Sequence, residues 1–249
     1  MSDPDRVSVI GSQISACDSD QLLDLLERRL QQGRGGYVCF TSAHGAVMGR
    51  RDPRFRAITN NSWLSVADGT PVYWVGRLRG GSGLGHIPGP DFMPRALRQF
   101  AQRRHFFYGS TPEVLAKLAQ TLSGQIPGLN ICGAYSPPFR VLTPQEIQKD
   151  YEQIRRSGAE FIWVGLGAPK QELWMAESWQ ALQPAILMGV GAAFDFNAGT
   201  MRRAPVAFRH TGFEWLYRLF QEPKRLWRRY MVITTLFTYY SFRDALLRE

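Results

Sequence analysis

A carboxylate that follows an apolar, β-prone run and precedes a glycine stands at the C-terminal edge of a strand. In α/β proteins that edge is where loops gather and ligands bind. Val66-Ala67-Asp68-Gly69-Thr70-Pro71 places Asp68 in this way, with Pro71 opening a helix. Such a carboxylate can remove a proton from a hydroxyl as a general base. It can equally cap the following helix, because Asp is a favoured N-cap.

Two more strand ends carry glycine turns. Gly165-x-Gly167 leads into Ala168-Pro169-Lys170-Gln171-Glu172 and a helix, and Met188-Gly189-Val190-Gly191 forms a second turn before Ala192-Ala193-Phe194-Asp195. Free backbone N–H groups and the helix dipole make such places suited to phosphate. A single Gly-x-Gly says little, but two at strand ends of one domain point to a phosphate-bearing ligand. Lys170 and Phe194 stand where a third glycine would complete a dinucleotide fingerprint, which argues against NAD and an oxidoreductase. In His86-Ile87-Pro88-Gly89-Pro90-Asp91, Asp91 reads most simply as an N-cap. Thr41-Ser42-Ala43-His44 ends another strand, so Thr41 and His44 share the edge with Asp68, although a lone histidine is more often structural. An Asp-x-Asp of the kind that holds a metal-bound nucleotide sugar occurs at Asp18-Ser19-Asp20, where capping of the next helix explains it. No catalytic metal or other cofactor is expected.

These residues need a scaffold that brings strand ends together. Apolar runs at 37–42, 63–67, 105–109, 129–134, 161–165 and 185–189 alternate with helical patterns at 20–31, 91–103, 112–122, 144–156 and 169–182. Thr111-Pro112 and Thr143-Pro144 are helix-start signals. The alternation predicts an α/β fold with a mostly parallel sheet and helices on both faces. After about residue 204 the pattern changes to a helix, Glu222-Pro223, and a second helix mixing arginines with Trp227, Tyr230, Met231, Phe237 and Tyr240. The expected organisation is a catalytic domain over 1–204 and a basic, aromatic helical appendage over 205–249.

Composition narrows the classes. With 44% hydrophobic and 20% charged residues, the 249-residue chain is globular material. Cys17, Cys39 and Cys132 form no CxxC pair, so neither a zinc site nor a disulfide framework is suggested, and a reducing compartment is the simplest expectation. The first residues show no signal-like apolar core, and no run approaches the roughly 20 apolar residues that span a bilayer. From Arg202 to Glu249, ten basic residues stand against four acids, so most of the net charge of +9 lies in the tail. An anionic partner there is implied. Arg218, Arg225 and Arg228 are spaced to share a helical face, and guanidinium forks suit pyrophosphate. The aromatics among them suit a bilayer interface, or packing of the helix on its own domain or in a homo-oligomer. Nothing matches an RNA-binding motif, so nucleic acid is not an expected partner.

The motifs together resemble the WecG/TagA/CpsF glycosyltransferase family. The matching blocks are Asp52-Pro53-x-Phe55-Arg56, Ala67-Asp68-Gly69-x-Pro71-Val72, Gly89-Pro90-Asp91, Gly165-x-Gly167-Ala168-Pro169-Lys170-Gln171-Glu172 and Gly189-Val190-Gly191-Ala192-Ala193-Phe194-Asp195-Phe196-x-Ala198-Gly199. Gly212-Phe213-Glu214-Trp215-Leu216-Tyr217-Arg218-Leu219 and Glu222-Pro223-x-Arg225-Leu226-x-Arg228-Arg229-Tyr230 continue the match into the tail. The resemblance implies a Rossmann-like fold and an inverting, metal-independent transfer of a sugar from a UDP-sugar to a polyprenyl-pyrophosphate-linked sugar. It implies peripheral attachment at the inner face of the cytoplasmic membrane. Asp68 falls on the proposed general base, Thr41 and Gln171 on substrate-positioning residues, and Arg218, Arg225 and Arg228 on arginines that hold the acceptor pyrophosphate. Gly165, Gly167, Lys170, Gly189, Gly191, Asp91 and His86 form the expected donor-binding set. Many relatives carry Arg where this chain has His86, which makes a cation there conditional on pH. A non-catalytic nucleotide-binding or membrane-associated module is the alternative, and it would leave the Asp68 and Gln171 loops without a task.

Overall fold

The computed structural model describes residues 3–205, 217, 219 and 223–247, with 223–226 and 229 described by backbone alone. The fold begins with an antiparallel hairpin of β1 (Arg6–Val9) and β2 (Ser12–Ser15). Its two-residue turn holds Ile10 at φ 46° and Gly11 at φ 90°, the positive-φ pair that a tight hairpin needs. Positive φ disfavours a β-branched residue such as Ile10, but its side chain is fully buried, and that burial offsets the strain. The hairpin is not signalled by the sequence patterns, because the strands have four residues each and the turn lacks the usual Asn-Gly or Asp-Gly.

Six more strands form the central sheet: β3 (Gly36–Thr41), β4 (Leu64–Ala67), β5 (His105–Gly109), β6 (Ile131–Tyr135), β7 (Phe161–Gly165) and β8 (Ile186–Gly189). All pair in parallel, in the order β4-β3-β8-β7-β5-β6. Each expected strand is present to within two residues at its ends. Side chains alternate between two cores, as strand geometry requires. Val38 and Phe40 of β3, Phe161 and Trp163 of β7, and Ile186 and Met188 of β8 join one core, while Tyr37, Cys39, Ile162, Val164 and Leu187 join the other. A sheet buried on both faces reads as near-continuous apolar runs, which is why these strands are visible in the sequence.

Helices α1 (Ser19–Gln31), α5 (Gly89–Gln99) and α6 (Pro112–Gln125) cover the first core, in an order that also includes α2 (Ala43–Arg51), α3 (Pro53–Asn60) and α4 (Thr70–Leu78). The other face carries α7 (Pro144–Ser157) and α8 (Lys170–Ser178), and the short α9 (Ala193–Asn197) follows β8. Capping sets several starts. Asp18 and Gln21 form a reciprocal box at α1, and Thr143 and Glu146 do the same at α7, so the Asp-x-Asp at residue 18 is a cap. α5 starts at Gly89 behind Pro88, so Asp91 sits inside the first turn and is not the N-cap that its position suggested.

The last helix, α10 (Pro223–Leu246), lies against α2. Phe237 is 5% exposed and closes a third core with Val9, Ile10, Ala46, Val47 and Val72. Arg50 of α2 meets Asp244 at 3.0 Å, with the Asp244 side chain only 3% exposed. The inner face of α10 thus packs on its own chain. No helix among the described residues is long and apolar enough to cross a membrane.

One core residue makes stability depend on pH. His105 is fully buried, its Nε2 is 2.9 Å from the Phe100 carbonyl, and Trp163 Nε1 donates to its Nδ1 at 3.2 Å. The carbonyl requires a hydrogen on Nε2 and the indole requires a lone pair on Nδ1, so the neutral ring is fully satisfied. A second proton would face the indole N–H. Burial pushes the imidazole from about 6.5 down to about 4. Between these values the unfolded chain binds more protons than the folded one, so stability falls as pH falls through that window and levels off below it. The contribution is about 3 kcal/mol. Urea unfolding at pH 7 and pH 4 should show this component in the wild type and lose it in His105→Gln; parallel pH curves for the two proteins would exclude it.

Candidate active site

Four strands that neighbour one another in the sheet, β4, β3, β8 and β7, end at Ala67, Thr41, Gly189 and Gly165. Because they are parallel, their loops leave at the same edge. Asp68 follows β4, and its backbone N–H bonds to the Thr41 carbonyl at 3.1 Å. Its side chain does not cap α4, whose N-cap is Gly69 with no side-chain bond. Instead Oδ1 accepts the Gly89 N–H at 2.7 Å. Asp68 is partly exposed, and the backbone of another loop orients its carboxylate.

Gly89 is also the point where the loops converge. A Cβ added there would stand 3.4 Å from the Val190 carbonyl oxygen and 3.6 Å from Asp68 Oδ1. Asp68 and the β8 glycine turn therefore face each other across a single missing side chain. The β7 and β8 turns are joined in turn, since the N–H groups of Val190 and Gly191 both donate to the Val164 carbonyl at 3.1 Å. Gln171 completes the line: its N–H bonds to Gly167, and its Oε1 lies 3.2 Å from where a Cβ on Gly191 would stand.

The glycines of the two turns divide into two kinds. A Cβ on Gly165 would fall 2.5 Å from the Phe194 ring, and one on Gly189 would fall 2.4 Å from Met175. These two are required by packing. Gly167 and Gly191 have φ values of 74° and 52°, and they make the turns themselves. Nothing lies within 4 Å of a Cβ position on Gly167, so its turn borders open space. The Ala168–Pro169 peptide before α8 is cis, and Lys170 is exposed at the first position of that helix.

Other expected residues have defined partners. Thr41 is 5% exposed and shares a 2.7 Å hydrogen bond with the Ser65 hydroxyl, so it lies beneath the edge. His86 pairs beside the end of β4, with Nε2 3.0 Å from the Asp68 carbonyl and its ring near Tyr73. Asp91 forms a two-point ion pair with Arg203, one contact at 2.6 Å. Arg228 is exposed on α10, whereas Arg218 and the side chain of Arg225 lie outside the described residues. Ser65, Arg203 and Glu172 were not singled out from the sequence. Glu172 stood inside a quoted motif, but its partner is a neighbour one residue away, and Arg203 acts 112 residues from Asp91, which no local pattern reveals. Among the described residues, no three His, Cys, Asp or Glu side chains gather as a metal-ligand set.

A cavity of about 1100 Å³ begins at Ala43 and Pro71, beside the Asp68 loop, and runs between α4, β1 and α10. Trp74, Leu78, Phe237 and Phe242 give it an apolar lining.

A parallel sheet with a partly exposed carboxylate and two glycine turns on one edge is an α/β arrangement of the class in which ligands bind beyond the C-terminal strand ends. The model of the Glycosyl transferase WecG/TagA/CpsF family matches residues 7–249, and the chain belongs to this family of glycosyltransferases. It is similar, at 30% identity over 206 residues, to the N-acetylglucosaminyldiphosphoundecaprenol N-acetyl-beta-D-mannosaminyltransferase of Bacillus spizizenii; the match covers 82% of this chain and 78% of that protein.

The two kinds of glycine give a stability test. Gly165→Ala should lower the unfolding free energy by about 2 kcal/mol, because the methyl group overlaps a buried ring. Gly167→Ala should cost only about 1 kcal/mol of backbone strain. Denaturant titration measures both, and equal effects would remove the packing explanation.

Proposed function

We propose that the protein transfers a hexose or N-acetylhexosamine-type sugar from a UDP-sugar to a polyprenyl-diphosphate-linked saccharide, with inversion and without a metal. The observation that carries the reading is the meeting of Asp68, Gly89 and the Gly189-Val190-Gly191 turn around one point, in a chain of glycosyltransferase family. The relative from Bacillus spizizenii, whose name specifies a diphosphoundecaprenol-linked acceptor and an N-acetylmannosaminyl donor group, supports the substrate classes.

In this reading Asp68 removes the proton from the acceptor hydroxyl as that oxygen attacks the anomeric carbon of the donor. The C–O bond to the diphosphate breaks on the opposite face, which inverts the centre. The departing charge on UDP is met by backbone N–H groups of the Gly165–Gly167 turn before α8 and by the nearby Lys170, since the Val190 and Gly191 N–H groups of the other turn are already given to the Val164 carbonyl. The Gly89 N–H holds the carboxylate in one orientation, so little rearrangement is needed at the moment of proton transfer. Thr41 and Gln171 support the substrate from beneath, and Asp91 and His86 border the donor. Arg218, Arg225 and Arg228 take the acceptor diphosphate.

The lipid end of the acceptor is assigned to the α4–α10 side. Trp74, Leu78, Trp227, Met231, Phe242 and Leu246 are exposed there, and an apolar surface of this kind with arginines beside it suits the interface of an anionic bilayer. In this reading the protein attaches peripherally at the inner face of the cytoplasmic membrane.

Asp68→Asn should lower kcat by about 10²–10⁴-fold while leaving the melting temperature near that of the wild type. The assay is transfer from several UDP-sugars to a synthetic polyprenyl-diphosphoryl monosaccharide, read by product mass. A folded Asp68→Asn enzyme with normal turnover would show that another group is the base. Leu246→Glu combined with Phe242→Glu should reduce co-flotation with vesicles containing anionic lipid; undiminished flotation would move the membrane face elsewhere.

A further inference from the structure

Gln171 is 4% exposed and its amide has a defined orientation. Its Nε2 donates to the Gly189 carbonyl at 2.9 Å and to Glu172 Oε1 at 2.9 Å. A backbone carbonyl only accepts, so the nitrogen must be on that side and the oxygen on the other. Both amide hydrogens are thereby used inside the protein. The remaining atom, Oε1, is buried and has no hydrogen-bond partner. It points to the Gly191 turn, 3.2 Å from where a Cβ on that residue would stand.

A buried acceptor with no partner is costly, and folded proteins leave few of them. At a candidate substrate site the missing partner is supplied by a ligand. Because the unpaired atom is an oxygen, the ligand group must be an O–H or N–H donor. The neighbour relations say which part of the ligand this is. Gly191 adjoins Val190, whose carbonyl faces Asp68 across Gly89, so the oxygen belongs to the same strand edge as the proposed base and the sugar assigned to it.

We propose that Glu172 is a positioning residue that fixes the Gln171 amide, so that its oxygen accepts a hydrogen bond from a hydroxyl or acetamido N–H of the sugar being transferred. This rests on the donor assignment made under Proposed function. Glu172 is 5% exposed, its Oε2 has no partner, and burial raises its pKa above the ordinary carboxylate range. Its role survives either protonation state, since a carboxylate and the carbonyl of a carboxylic acid both accept from Nε2. Losing that acceptor would leave one amide hydrogen unpaired and free the Gln171 side chain to leave its position. Donor specificity would loosen as a result, because a site built around one acceptor rejects sugars lacking the matching donor group.

The test compares wild type, Glu172→Gln, Glu172→Leu and Gln171→Met. Calorimetry measures affinity for UDP alone and for the UDP-sugar, and steady-state kinetics gives KM and kcat for that donor. Gln171→Met and Glu172→Leu should raise donor KM about tenfold, with UDP affinity and kcat within about twofold of wild type. Glu172→Gln retains an acceptor oxygen and should stay within about twofold throughout. If Glu172→Leu does not fold, Glu172→Met replaces it. Unchanged donor KM in folded variants, or equal losses of UDP and UDP-sugar affinity, would overturn the inference. A wild-type protein that neither binds UDP nor transfers sugar would overturn the proposed function and this inference together.

Discussion

Parallel strands that neighbour one another must release their loops at a common edge, and in this protein β4, β3, β8 and β7 are consecutive in the sheet. With strands about 4.8 Å apart, their ends cover about 15 Å, a span on the scale of an extended nucleotide sugar. Asp68, the Thr41 loop and the two glycine turns are collected by that pairing, although more than 100 residues of chain separate Asp68 from Gly189. The hydrogen bond from Gly89 to Asp68 adds the loop before α5 to the same edge. Register in the sheet is thus the condition for the site: a slip of one residue in β4 would turn Asp68 away from this neighbourhood.

Within the site, residue identity answers several demands together. Gly165 makes room for Phe194 and Gly189 makes room for Met175, and Gly165 belongs to a turn that is also read as a phosphate cradle. At the β7 turn, close packing beneath Gly165 and open space beside Gly167 are compatible because the two demands fall on different residues. Asp91 shows a similar overlap. Its ion pair with Arg203 fastens the start of α5 to the segment after α9, while its position stays at the border of the expected donor region.

The sheet and most helices were legible because buried parallel strands produce long apolar runs and because caps such as Thr111-Pro112 and Thr143-Pro144 act within a few residues. Asp68 and the turn glycines were legible for the same reason: strand ends are local signals. The β1–β2 hairpin was hidden by its short strands and by Ile10 in a turn position that tertiary burial, not local preference, makes tolerable. Arg203 and Ser65 were hidden because their partners come from distant parts of the chain. Glu172 was in view as a letter of a motif, but the direction of the Gln171 amide depends on Gly189, which only the folded sheet brings close.

α10 is fastened to the body on one side, by Phe237 in the third core and by Asp244 against Arg50, while its other side presents Met231, Val232, Tyr239 and Phe242 outward. A helix held in this way cannot swing out as a loose tether without uncovering apolar surface and stranding a buried charge. Contact with a lipid layer would therefore set the tilt of the entire molecule, and the height of the reaction centre above the headgroups would be determined by rigid geometry instead of by linker length.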